Sequence, residues 1–95
     1  VQWVDFSDVK QRVADGAQLL DTRFESEFKS GTLRGALNIP FYVLRLRMSQ
    51  LNADQPYIVF CNDARQSAAA AFLMSQEGLD VSVIRDGIQG RQNQA

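Results

Sequence analysis

Short apolar runs alternate along the chain with segments of helical spacing, and a turn residue separates most neighbours. Val1–Asp5 reads as a short strand, and Ser7 is suited to cap a helix running to about Asp15, where Gly16 supplies the stop. Ala17–Asp21 (AQLLD) is an apolar run of strand length, expected to be buried on both faces. Phe24–Ser30 predicts one or two helical turns ended by Gly31, and Ala36–Ile39 predicts a brief strand before Pro40, a residue that can open a helix. Over Phe41–Leu51 the apolar residues Leu44, Met48 and Leu51 share one stripe, which leaves Arg45, Arg47 and Gln50 on the wet face. Tyr57–Cys61 (YIVFC) is the clearest strand, built almost wholly of β-branched and aromatic residues. Ser67–Glu77, with four consecutive alanines, predicts a strong helix stopped by Gly78; Val81–Ile84 is a last strand before an Asp86-Gly87 turn. Trp3 is expected in the core.

Strand and helix thus alternate from end to end. That rhythm means βαβ crossovers and an α/β fold with a mainly parallel sheet covered by helices on both faces. Sites in such sheets lie beyond the carboxyl ends of the strands. Here strand YIVFC finishes on the only cysteine of the chain, and a helix is expected five or six residues later.

Composition narrows the chemistry. The 95 residues suit one domain, assigned to residues 1–90, with 91–95 as a polar C-terminal tail. Both ends have the character of a module cut from a longer protein. A hydrophobic share of 45% with two prolines excludes a disordered or collagen-like chain. Ten basic and eleven acidic residues leave a net charge of −1, so no basic face for nucleic acid is expected. No apolar run is long enough to span a membrane. The absence of histidine removes Ser-His-Asp and Cys-His catalysis and argues against zinc, so neither metal nor cofactor is expected. A single cysteine forms no internal disulfide, which leans towards a reducing cytoplasm.

The segment Cys61-Asn62-Asp63-Ala64-Arg65-Gln66-Ser67 joins the apolar strand to the alanine-rich helix. A thiol there faces the free N–H groups of a helix start and of a tight loop. Such an anion nest favours thiolate over thiol and can cradle substrate oxygens. A free cysteine is more often a small buried hydrophobe, but this position at a strand end favours a nucleophile.

Three segments carry a family resemblance over about residues 5–88: Leu20-Asp21-Thr22-Arg23 with Glu27-Phe28, then Gly31-Thr32-Leu33-Arg34-Gly35-Ala36-Leu37-Asn38-Ile39-Pro40, then the Cys61 loop with Asp86-Gly87-Ile88 further on. In this order and spacing the chain resembles the rhodanese-like domain family. The resemblance implies a five-stranded parallel sheet flanked by helices. It also implies a persulfide mechanism, in which Cys61 takes a sulfane sulfur from thiosulfate or a similar donor and passes it to a thiol or cyanide-like acceptor. The backbone of Asn62, Asp63, Ala64, Arg65, Gln66 and Ser67 would hold the persulfide and the donor's oxygens. Asp21 and Arg23 would brace the region beneath the loop, as an ion pair rather than as substrate ligands. Asn38 would pin a turn, and the family's histidine at the position of Thr32 is structural in character. Related phosphatases carry a loop one residue longer, with Arg where this chain has Ser67, so the loop length points to sulfur transfer.

The chain departs from the family pattern C-x-x-G-x-R-S at two places, Ala64 for Gly and Gln66 for Arg. A left-handed alanine costs about 1 kcal/mol. At an effective dielectric of about 20, a charge roughly 6 Å away is worth about 3 kcal/mol before screening, so the lost cation predicts slow turnover with thiosulfate. Asp63 and Arg65 cancel formally and leave the loop neutral; Gln66 can still donate a hydrogen bond, and Arg65 is the leading side-chain candidate for contacting an anionic donor, beside the alternative of a solvated surface arginine. The rival expectation is a weakly active or inactive regulatory or sensory module. Pro40–Arg47 resembles rhodanese domains appended to bacterial cyclic-nucleotide-binding signalling proteins. Reversible oxidation of Cys61 is a third reading. A monomer is expected, partnered at most by other domains of a parent chain.

Overall fold

A computed structural model describes residues 1–94. Its elements are β1 (Gln2–Val4), α1 (Phe6–Ala14), β2 (Gln18–Asp21), α2 (Glu25–Ser30), β3 (Leu37–Asn38), α3 (Leu44–Arg47), β4 (Tyr57–Phe60), α4 (Arg65–Gln76) and β5 (Val81–Ile84). Three 3-10 segments complete the chain, Phe41–Val43 and Met48–Gln50 on either side of α3, and Gly87–Gln94 after β5. The strands form one sheet of order β1-β5-β4-β2-β3, and every neighbouring pair is parallel. This is the α/β architecture that the alternation of elements required.

Successive strand residues point to opposite faces, and both faces here are apolar. Leu20, Val59 and Val83 pack towards α3 and α4, where Leu44, Ala70, Ala71 and Met74 meet them. Leu19, Ile58, Phe60 and Ile84 pack on the other side with Val9 of α1 and Ile88. The central strands β4 and β5 are buried along their whole length, which explains their unbroken apolar runs. Alanine dominates α4 because small side chains let the helix approach the sheet closely while keeping high helix propensity. The edge strands β1 and β3 are only three and two residues long, a short edge being a poor template for unwanted pairing.

Four expectations change. Asp5, not Ser7, holds the N-cap position of α1, and its carboxylate pairs with Arg85 at 3.0 Å instead of capping. Trp3 is 42% exposed rather than in the core, because it lies on edge strand β1, where the Arg85 guanidinium covers its ring at 5.8 Å. The single helix expected over Phe41–Leu51 is broken into a 3-10, α and 3-10 succession. The last 3-10 segment runs through most of the stretch expected as a tail, 91–95, of which Ala95 lies outside the described residues. Among the described residues, no helix is long and apolar enough to cross a membrane.

The broken third helix still buries one anchor. Leu44 is fully buried against the sheet, whereas Leu46, two residues on, is 82% exposed. Leu44→Ala is therefore expected to lower unfolding free energy by about 2–5 kcal/mol and Leu46→Ala to change it by less than about 0.5 kcal/mol, both read by urea denaturation. Equal effects of the two substitutions would contradict this packing.

Candidate active site

Strand β4 hands the chain to the cysteine loop at the centre of the sheet, where β2 and β5 flank it. Cys61 is the first residue past the strand and is 3% exposed. Two residues on, the Asp63 carboxylate accepts the Arg65 amide at 3.2 Å, a side-chain turn that starts the next helix early. Helix α4 consequently begins at Arg65, not Ser67, and the loop proper shrinks to Cys61–Ala64. Ala64 makes the turn at φ 82°, the left-handed conformation that its methyl group disfavours. That methyl is buried in the α3–α4 face of the core, which offsets part of the strain.

Turning the chain this way returns the start of α4 onto the sulfur. The Ser67 amide, in the first turn of the helix, donates to Cys61 Sγ at 3.3 Å, and the thiol donates to Ser67 Oγ at 3.3 Å. Ser67 is itself fully buried. First-turn amides have no partner within their own helix, so one of them is free to serve the sulfur, and the helix dipole favours negative charge there. Of the loop side chains, Arg65 is 92% exposed and lies 3.7 Å from the Asp63 carboxylate, so it extends along the rim. A pair this exposed contributes little to stability.

Beneath the loop lies a buried polar brace. Asp21, fully buried at the end of β2, accepts from the Arg23 amide at 2.9 Å, from the Arg23 guanidinium at 2.9–3.2 Å, and from the Thr32 hydroxyl at 2.8 Å. Arg23 spends its remaining donors on the Gly31 carbonyl at 2.6 Å and on Asn62 Oδ1 at 3.4 Å. Asn62 in turn donates to the Glu27 carboxylate at 2.9 Å. The first loop residue after the cysteine is thus tied through Arg23 to β2 and through Glu27 to α2. Asn38 donates to the carbonyls of Asp21 and Arg23, both at 3.0 Å, and holds that turn.

Gly87 supports the loop from the other side. The Ile88 amide donates to the Cys61 carbonyl at 2.8 Å, which brings the chain so close that a Cβ on Gly87 would lie 2.5 Å from that oxygen. Its φ of 61° also favours glycine. The sequence marks Asp86-Gly87 only as a turn; the close contact with Cys61 is what makes glycine necessary there. Arg45 is exposed, as expected of a wet helix face, and it lines a cleft of about 320 Å³ with Thr22 and with Gln66 at the start of α4. The two aromatic rings of Phe24 and Tyr42, 5.8 Å apart, form one wall, and Phe41 and Leu73 complete the apolar lining.

The family model for the rhodanese-like domain matches residues 5–94. This chain belongs to the rhodanese-like domain family. A rhodanese-related protein from Thermoplasma volcanium superimposes with a TM-score of 0.93 at 28% identity, over 100% of this chain and 94% of that one. A sulfurtransferase from Allochromatium vinosum is 33% identical over 91 residues, covering 93% of this chain and 85% of that protein. An HTH-type transcriptional regulator from Mycobacterium tuberculosis is 29% identical over 82 residues, which amount to 84% of this chain and 36% of the regulator. The matching stretch therefore makes up most of one protein of similar size and about a third of a larger one.

Two substitutions probe the supports of the loop. Asp21→Ala leaves the buried Arg23 guanidinium without its carboxylate and is expected to cost about 3–5 kcal/mol of stability. Gly87→Ala is expected to cost about 1–3 kcal/mol through the left-handed strain and the clash with Cys61. Chemical denaturation checks both, and a Gly87→Ala protein as stable as the wild type would mean that the close approach is not a constraint.

Proposed function

We propose that this rhodanese-like domain is a sulfurtransferase or persulfide carrier in which Cys61 bears the transferred sulfur. The observation that supports it best is the Ser67 amide aimed at Cys61 Sγ at 3.3 Å, from the first turn of a helix that starts beside the end of the central strand. With thiosulfate as donor, the Cys61 thiolate attacks the outer sulfur. The donor's S–S bond breaks, sulfite leaves with the electron pair, and a Cys61 persulfide remains. A thiol or cyanide-like acceptor, as its anion, then takes the outer sulfur and restores the thiolate. Neither half requires a general base, which suits a chain without histidine. The amides from Asn62 to Ser67 serve the persulfide and the donor's oxygens, while Asp21 and Arg23 act as positioning residues through Asn62. The domain works as a monomer, or beside other domains of a parent chain, and a reducing cytoplasm keeps its thiol free.

A second reading, a weakly active regulatory module, is favoured by the match to part of a transcriptional regulator and by the neutral loop, where Asp63 offsets Arg65 and Gln66 carries no charge. Intact mass after exposure to thiosulfate separates the two. A gain of about 32 Da on the wild type and none on Cys61→Ser is expected, through attack by the thiolate. Gln66→Arg is expected to raise kcat/KM for thiosulfate about tenfold by restoring a cation near the donor. Folded protein with a free thiol that takes sulfur from neither thiosulfate nor polysulfide would leave only the regulatory reading.

A further inference from the structure

The face of the sheet that carries α1 is not fully covered. Val9 of α1 and Ile88 close it over Ile58, Phe60 and Ile84. Towards β2 and β3 the chain supplies no second helix, because the Arg34-Gly35 turn leads almost directly into the two-residue β3. A groove of about 490 Å³ remains between α1 and that turn. Its apolar lining includes Val9, Leu19 and Leu33, all buried, together with Phe6 and Val13. Phe6, Val9, Lys10 and Val13 recur at helical spacing, so one face of α1 forms a whole wall. The other wall is fastened, since the Gln18 side-chain amide donates to the Gly35 carbonyl at 2.9 Å.

The charged side chains of the lining are Lys10 on α1 and Arg34 on the turn, and no carboxylate accompanies them. Among the described residues, neither cation forms an ion pair, and both are exposed. An apolar groove with an unbalanced cation on each wall is complementary to an apolar chain ending in an anion. A protein partner fits less well. Stable protein interfaces cover about 800 Å² on each side, whereas the apolar surface here is recessed. Of the large apolar side chains that are exposed, Val13 alone lines the groove. We propose that this groove is a binding site for a medium-chain fatty acid. Its hydrocarbon tail lies along Val9, Val13, Leu19 and Leu33, and its carboxylate is held by Lys10 and Arg34. None of the lining residues belongs to the cysteine loop, so the site is separate from Cys61 and its chemistry.

Titration calorimetry with decanoate, below its micelle concentration, tests the assignment, with decanol as the uncharged control. The wild type is expected to bind one decanoate saturably, and decanol at least about tenfold more weakly. Lys10→Gln and Arg34→Gln are each expected to weaken decanoate binding about fivefold, and Arg34→Lys to recover part of the loss. Val13→Glu, which adds a carboxylate to the lining, is expected to abolish binding. Lys10, Val13 and Arg34 are all exposed, so thermal midpoints close to that of the wild type are expected. Cys61→Ser is expected to bind decanoate like the wild type, which separates the fate of this site from that of the sulfur-transfer reading. Decanol bound as tightly as decanoate, or decanoate binding indifferent to Lys10, Arg34 and Val13, would overturn the proposal. So would folded wild type that binds no decanoate but forms a dimer lost in Val13→Glu, which would assign the groove to a second copy of the chain.

Discussion

A fully buried carboxylate organises the functional end of this molecule. Asp21 ends strand β2 inside the protein, where a lone charge is untenable, and it is compensated by Arg23, an amide and the Thr32 hydroxyl together. Satisfying Asp21 fixes Arg23, and Arg23 has donors left over. Those reach the carbonyl of Gly31, after α2, and the side chain of Asn62, in the cysteine loop. One buried charge thereby connects the end of β2, the turn after α2 and the distant cysteine loop, and the loop inherits its position from the strand next to it.

The loop itself works under opposing demands. It has to turn sharply enough to bring a helix start back onto Cys61, and this chain makes the turn with a left-handed alanine where glycine would be unstrained. The methyl group gains burial in exchange for that strain. On its opposite side the loop is held by the hydrogen bond from Ile88, which only a glycine at position 87 permits. Gln66 is uncharged and Arg65 turns to Asp63, while Arg45 borders the cleft that Gln66 also lines.

The fold was largely legible in the residues. Runs such as YIVFC and VSVI can only be strands buried on both sides, and their alternation with helices leaves parallel crossovers as the economical arrangement. The ion pair of Asp21 with Arg23 was also within reach, because charged residues at a buried strand end need partners. Boundaries were less so. The start of α4 depended on the Asp63 side chain capturing the Arg65 amide, a local competition that helix periodicity does not register. Trp3 was misplaced because hydrophobicity reports how much a side chain gains from burial, not whether its strand lies at the edge of the sheet.

By itself, the sequence determined the order and type of the elements, the membership of Cys61 in a strand-to-helix loop, and a chemistry without histidine. These follow from local hydrophobic period and from composition, which need no knowledge of distant contacts. The tertiary structure alone decided that Gly87 lies against Cys61, that Asn62 is tethered through Arg23 and Glu27, and that Arg45 shares a cleft with Gln66. Each joins residues at least 21 positions apart in the sequence. Such contacts depend on how parallel strands are ordered and how their connections cross the sheet, and no local pattern in the chain encodes that.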